Sequence, residues 1–289
     1  DGTLLPYTTL FRSRHALPGT KACGGGLTPA AMDQLGSFAA DPVPCRRLFV
    51  NGSPGRCLIE LDAPFMHVAE RTHWTRAAIQ DLRDRGAVVY QGERCRNIAD
   101  GIVVTERRRI NTGLIIGADG PKSAVRRHLR LPSAVSVIAR QIVLPAGAAS
   151  AAALLPFCPG VWFDYGLFGP GYGWAFPLTD ALKVGCGVSV DTHDAAALSR
   201  SFRQWLHRLG IPMDAGIHQA GSIGCRYAGH RFGRIFLAGD AGGFADPITG
   251  EGISQALISG REVAKEALSP PYRSAALERL ITSRRRTLE

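Results

Sequence analysis

Through most of the chain, apolar positions recur at strand spacing and are punctuated by glycine, proline and aspartate turns. Arg47–Asn51 and residues 56–61 flank a Gly-Ser-Pro-Gly turn as a hairpin. Residues 94–98 and 102–106 pair about Asp100-Gly101, and residues 87–90 make a short strand before them. Residues 133–190 are strand-like and aromatic. Within them, residues 161–163, 172–176 and 182–190 are predicted strands, the last two joined at Thr179-Asp180, and residues 217–225 are another. Helical spacing is confined to fewer windows. Residues 74–85 place Trp74, Ala77, Ala78 and Leu82 on one face before Gly86, and residues 194–209 close at Gly210. A helix after Gly252 reaches Leu268 and is broken at Ser269-Pro270-Pro271, and the last eighteen residues look helical. Near the start, three glycines precede Thr28, a good N-cap with Pro29 at the first helical position, and Gly36 can end that short helix.

Two windows share one construction. In residues 234–268 an apolar strand (235–238) meets Gly239-Asp240, then a loop holding Pro247, Gly250 and Gly252, then the long helix. In residues 112–129 the run Leu114-Ile115-Ile116, expected to be a buried strand, enters Gly117-Ala118-Asp119-Gly120, and a helix starts near residues 121–123. The spacing of about 120 residues is too long for a repeat and suits two sides of one ligand site. Glycines admit close backbone approach, and a helix start offers unpaired N–H groups and a positive dipole end. Such a place suits a phosphate, or an electron-rich ring that becomes anionic on reduction. Asp240 reads as an acceptor for ligand hydroxyls. An ordinary glycine-rich turn before a helix is the plain alternative.

Composition excludes several classes. The 289 residues allow one large domain or two small ones, with ordinary apolar and charged fractions. No uncharged apolar run of about 18 residues appears, and the nearest candidate, residues 146–158, is short and broken by Pro156. The net charge of +10 lies on basic residues spread over many elements without interleaved aromatics. That argues against a nucleic-acid partner and for a basic surface compatible with anionic cofactors or a negatively charged membrane face. Seven widely spaced cysteines without a C-x-x-C pair fit a reducing cytosol and neither a disulfide frame nor a zinc site, and the histidines show no metal spacing. There is no G-x-S-x-G elbow and no P-loop.

Four pieces in order, Cys23-Gly24-Gly25-Gly26, the strand-Ala-Asp-Gly-helix of Asp119 and Gly120, the run Tyr172-Gly173-Trp174-Ala175-Phe176-Pro177, and AGDAGGFADPITGEGIS at 238–254, together resemble the geranylgeranyl reductase family. That family belongs to the flavoproteins shaped like p-hydroxybenzoate hydroxylase, and the resemblance covers nearly all of residues 21–268. It implies a mixed α/β fold: a Rossmann-like FAD-binding domain (14–130 with 225–269), an inserted antiparallel β-sheet substrate domain (131–224), and the start of a C-terminal helical region (270–289). It implies FAD as cofactor, with NAD(P)H or another reductant as electron donor, and reduction of C=C bonds in a prenyl chain by hydride from reduced flavin.

By the same resemblance, Gly239 and Asp240 would contact the ribityl and pyrophosphate region, with Pro247 and Gly250 shaping the loop. Gly252 and Ile253 would donate N–H groups to the pyrimidine edge of the flavin. Asp119, Gly120 and Arg71 would stand near phosphate, the backbone at Cys95 near the adenosine half, and Gly24 and Gly26 near the ring. Where the family usually has Phe-Asp, this chain has Trp74-Thr75. Cys23, Tyr172 and Trp174 are the expected catalytic positions. Cys23 reads either as a proton donor or relay, or as a small packing residue. Tyr172, Trp174 and Phe176 read either as a core sheet face or as the lining of a lipid tunnel.

Residues 6–13, PYTTLFRS, resemble the translation of a sequencing-adapter oligonucleotide, so residues 1–13 are expected to be non-native. The family's opening strand-G-x-G-x-x-G-helix has no counterpart here, so the expectation is an N-terminally truncated chain that binds FAD weakly or not at all, with a second truncation after Glu289. A flavoprotein monooxygenase or halogenase, a quinone reductase, and an inactive cofactor-free fragment stand as alternatives. The expected location is cytoplasmic, with peripheral membrane contact open.

Overall fold

The computed structural model describes residues 10–12, 21–39, 41–52, 55–99, 101–145, 147, 160–165, 168–269 and 271–288. Its helices are α1 (Pro29–Leu35), α2 (Arg71–Asp84), α3 (Ala124–His128), α4 (Ala195–Arg208), α5 (Gly239–Gly242), α6 (Ile253–Leu268) and α7 (Ala275–Leu288). The 146–158 stretch, apart from residue 147, lies outside the described residues, as do residues 1–9.

The largest sheet has seven strands in the order Ile217–Gly224, Val135–Pro145, Ala181–Ser189, Gly171–Pro177, Gly160–Asp164, Arg47–Asn51 and Arg56–Glu60. All neighbours are antiparallel except Gly160–Asp164, which runs parallel to Arg47–Asn51. Through that pairing the 47–60 hairpin, placed with residues 14–130 by the sequence, extends the sheet built from residues 135–224. Side chains alternate between faces along each strand. One face sends Ile142, Leu144, Ala175, Leu182, Val184, Cys186 and Val188 against Leu198, Phe202, Trp205 and Leu206 of α4. Each such large apolar side chain contributes roughly 1.5–3 kcal/mol on burial. Gly173 is required there, since a Cβ would lie 2.7 Å from the Trp205 ring. The Trp205 indole N–H donates to Asp164 at 3.1 Å, which also accepts from Asn51.

The opposite face carries Phe163, Tyr172, Trp174 and Phe176 as an aromatic wall, with ring centroids 5.3 to 6.0 Å apart for the contacting pairs. Trp174 lies flat on the neighbouring strand because Gly185 has no side chain; a Cβ there would come within 2.4 Å of the indole.

The two acid-glycine windows meet as a parallel strand pair in a small three-stranded sheet. Ile115–Gly117 pairs with Ile235–Leu237, Gly117 beside Leu237, so both turns leave the same end. Ile116 is exposed, unlike the buried strand expected there. After the first turn, the Asp119 carboxylate accepts the Ala124 N–H at 2.6 Å and Ser123 Oγ accepts that of Arg126 at 2.9 Å, so α3 is doubly capped. The buried Arg126 guanidinium donates to the carbonyls of Pro132 (2.5 Å), Ala241 (2.9 Å) and Arg226 (2.8 Å), tying α3 to the second turn. Its burial without a carboxylate lowers its pKa.

Local departures have local causes. Helix α2 begins at Arg71, ahead of the apolar periodicity, because the Glu70 side chain accepts the Thr72 N–H at 3.2 Å and caps it. Residues 239–242 form the short α5 where a loop was expected, ended by Gly243 at φ 78°. Leu10–Arg12 runs parallel to Val88–Tyr90. The α1 reading holds: Thr28 caps it and Gly36, at φ 52°, ends it.

Candidate functional site

The Cys23–Gly26 run lies on the aromatic wall, and its composition follows from that contact. A Cβ on Gly24 would stand 2.4 Å from the Phe176 ring, and one on Gly26 3.1 Å from Phe176 and the Met66 sulfur. Gly25, at φ 84°, accepts the Ala69 N–H at 3.0 Å through its carbonyl. Beneath it the buried Lys183 ammonium pairs with Glu70 at 3.0 Å. Burial pushes the Glu70 carboxyl up, but Lys183 and the Thr72 donors outweigh it and hold the pKa below the usual range. The half-buried Cys23 gives its backbone N–H to Gln141 Oε1 at 3.0 Å.

Tyr172 links this wall to the loop entering α6. Its hydroxyl donates to the Thr249 carbonyl, and a Cβ on Gly250 would be 3.4 Å from the phenol oxygen. Burial first, then repulsion by the ionised forms of Tyr165, Cys23 and Asp246, pushes the phenol well above its ordinary pKa. Asp246 braces the loop by accepting from the Ile248 N–H at 3.0 Å, the Thr249 N–H at 2.8 Å and Arg284 at 2.7 Å. Gly250 closes the turn at φ 69°, its N–H on the Asp246 carbonyl at 3.0 Å. Thr28 at the start of α1 donates to Glu251 at 2.7 Å, joining the glycine loop to the same turn.

The 16-residue helix α6 starts after Gly252, and no side chain caps it. Its positive dipole end and first-turn N–H groups are therefore left without a side-chain cap beside the Asp240 carboxylate. The Asp240 carboxylate sits at its mouth, 3.4 Å from a Cβ built on Gly252, and pairs with Lys21 at 3.1 Å. Gly239, at φ 55°, donates to Ser259 Oγ at 2.9 Å and brings α6 onto the strand end.

Gly239, Asp240, Gly250, Gly252 and Ile253 thus come together at the start of α6, with Pro247 half-buried in the loop, and Tyr172 joins that turn to the wall that carries Trp174 and the Cys23–Gly26 run with Gly24 and Gly26. Asp119 and Gly120 stand at the adjacent strand end, where one Asp119 oxygen caps α3 and the other is buried without a partner in the structure. Arg71 opens α2 next to the Glu70–Lys183 pair. Cys95 is buried in a cluster with Val125, Leu237 and Ala241, its thiol directed to the Asn97 carbonyl. The sequence reading missed Lys21, Gln141, Asp246, Lys183 and Arg284. Only Lys183 and Gln141 carried a local signal, a polar residue inside an apolar strand run.

The arrangement fits a flat ring that gains negative charge. It offers an uncapped helix start, glycines where backbone must approach, an acceptor for hydroxyls, and an aromatic floor whose Trp174 indole N–H is buried without a partner. Among the described residues no group of three or more His, Cys, Asp or Glu could hold a metal, and no helix is long and apolar enough to cross a membrane.

No family model matches the chain. It is 27% identical over 175 residues to a geranylgeranyl diphosphate reductase of Rhodobacter capsulatus, covering 58% of this chain and 42% of that one. It is 28% identical over 235 residues to a digeranylgeranylglycerophospholipid reductase of Methanothrix thermoacetophila, covering 70% and 56%. The chain thus spans about half the length of these two relatives. In three dimensions it matches a geranylgeranyl bacteriochlorophyll reductase-like protein from Thermoplasma acidophilum (TM-score 0.73, 18% identity, 95% of this chain and 76% of that one). It also matches the flavin-dependent halogenase CmlS (TM-score 0.69, 16% identity, 97% and 58%). The mixed α/β fold of the flavin-dependent oxidoreductases is the fold of this chain, and the relatives' names agree with the resemblance read from its motifs.

Proposed function

We propose that this chain, a relative of the geranylgeranyl reductases, forms the flavin and substrate site of an FAD-dependent oxidoreductase that reduces C=C bonds of a prenyl chain. The observation that carries the reading is that Tyr172, on the aromatic wall under the Cys23–Gly26 run, joins that wall to the turn leading into the uncapped start of α6. Reduced FAD supplies the hydride when bound, and NAD(P)H or another reductant supplies the electrons.

The residues have separable tasks. The N–H groups of Gly252 and Ile253 and the α6 dipole receive the negative edge of the ring, while Asp240 exchanges its Lys21 contact for ligand hydroxyls. Gly24, Gly26, Gly239 and Gly250 keep the backbone close, and Arg71, Asp119, Gly120 and the Cys95 backbone serve the phosphate and adenosine end. Trp174, Phe176 and Phe163 exclude water and hold the chain by apolar contact. The Cys23 thiol holds the proton for the carbon that does not receive hydride. Tyr172, its hydroxyl donating to the Thr249 carbonyl, keeps the loop seated. The protein works in the cytoplasm with peripheral membrane contact and binds no nucleic acid.

A monooxygenase or halogenase is the second reading, favoured by the shared fold with CmlS. Titration with FAD is followed by visible absorption, on this chain and on the chain extended by a strand-glycine-helix segment from a relative. Flavin bands in the extended chain, followed by anaerobic saturation of a geranylgeranyl substrate, are expected. Oxygen uptake with an aromatic substrate would move the assignment to the second reading, and a folded protein without flavin in either form would sink both.

A further inference from the structure

Gln141 is fully buried in the middle of Val135–Pro145, on the face that carries the aromatic wall. A buried amide left without partners is destabilising, because it gives up its hydrogen bonds to water and gains none. Both of its ends are used. Oε1 accepts the Cys23 N–H at 3.0 Å, and Nε2 donates to Gln219 Oε1 at 2.6 Å across the strand pair that sets Gln141 beside Gln219. A backbone N–H can only donate, so the oxygen of Gln141 must face Cys23, and its amino group must find the acceptor that Gln219 provides. The fit at the base of the side chain is close, since a Cβ on Gly185 would lie 2.7 Å from Gln141 Cβ and 2.4 Å from the Trp174 ring.

On either side of Cys23 the loop is fastened backbone to backbone: the Ala22 N–H on the Ala220 carbonyl at 3.3 Å, and the Gly25 carbonyl under the Ala69 N–H at 3.0 Å. At Cys23 itself the amide is held by a side chain instead. A side-chain contact can be lost without loss of the sheet, whereas the flanking contacts belong to the backbone scaffold.

We infer that Gln141, oriented by Gln219, is a positioning residue that sets the height and direction of Cys23 over the aromatic wall. Its catalytic meaning rests on the proposed role of Cys23; its structural meaning does not.

The test uses the full chain carrying Cys57→Ser and Cys158→Ser, with Gln141→Met or Gln219→Leu added. Backbone amide exchange is read residue by residue by NMR, and the pH profile of Cys23 alkylation by iodoacetamide is recorded alongside. Gln141→Met is expected to speed exchange at Cys23 about tenfold while Ala22 is unchanged, and to move the midpoint of the alkylation profile. Gln219→Leu is expected to act in the same direction and less, and it carries the test where Gln141→Met does not fold. In the flavin-loaded protein, kcat for prenyl reduction falls with KM unchanged. Wild-type exchange at Cys23 and an unmoved alkylation profile in a folded variant overturn the inference. Failure of the flavin reading shows separately, as absent flavin absorption with the exchange result intact.

Discussion

Arg284 of α7 places its guanidinium 2.7 Å from the carboxylate of Asp246, so the last helix of the chain holds the loop that leads into α6. The arginine side chain is 4% exposed and the aspartate 22%, so little solvent screens the pair. Burial pushes Asp246 up, but the Thr249 and Ile248 N–H groups and Arg284 together hold it below its usual pKa. A depressed carboxylate pKa gives stability that is present above the unfolded value, about 3.9, and lost as pH falls through the folded one. Arg284→Met should therefore destabilise the fold by about 1.5–3 kcal/mol at neutral pH, the range for a lost hydrogen bond to a charged group, because Asp246 keeps its Ile248 and Thr249 N–H donors. It should also flatten the acid limb of the stability curve as the pH falls below about 4, measured by urea unfolding at a series of pH values. An unchanged limb would show that the loop is held without Arg284.

Gly24 lies on the Phe176 ring, so the glycine is required by contact rather than by φ. Gly24→Ala should cost about 1–3 kcal/mol by overpacking. Adding Phe176→Leu, which removes the ring, should recover part of that loss. Chemical denaturation of the two single variants and the double variant gives the coupling, and strict additivity would mean that the loop is not seated on the ring.

Tyr172 is held protonated far above neutrality by burial and by nearby negative charge. Tyr172→Phe should leave the phenolate absorbance of the folded protein unaltered up to about pH 11, because Tyr172 does not ionise there. Loss of its bond to the Thr249 carbonyl should cost about 1 kcal/mol in thermal unfolding. Phenolate absorbance below pH 10 that vanishes in the variant would contradict the buried, protonated phenol.

Cys23→Ser tests the chemistry proposed for the site. The variant should take up FAD with an unchanged visible spectrum and lose about 100-fold or more in prenyl reduction, the range of a missing general acid. Retained turnover would return Cys23 to the role of a small packing residue.

Much of this protein is local enough to read from its residues. The Thr28-Pro29 start and Gly36 stop of α1, the close of α4 at Gly210 and the hairpin about Thr179-Asp180 obey rules that act within a few positions. The helix beginning at Ile253 after a glycine turn was visible for the same reason. The start of α2 was misplaced because its cap is a glutamate, held in turn by Lys183 more than a hundred residues away.

Strand-acid-glycine-helix was written twice in the chain, and neighbouring residues were enough to recognise it. That Gly117 lies beside Leu237, that Gln141 reaches Cys23, and that Arg284 reaches Asp246 follows from how strands pair and helices pack. Partner choice among buried polar groups depends on which donors and acceptors the folded chain brings within about 3 Å, and sequence distance carries no information about that. Turns and caps are settled by short-range sterics and hydrogen bonds; the fastening of Cys23 and of the α6 loop is settled by contacts that exist only once the core has closed.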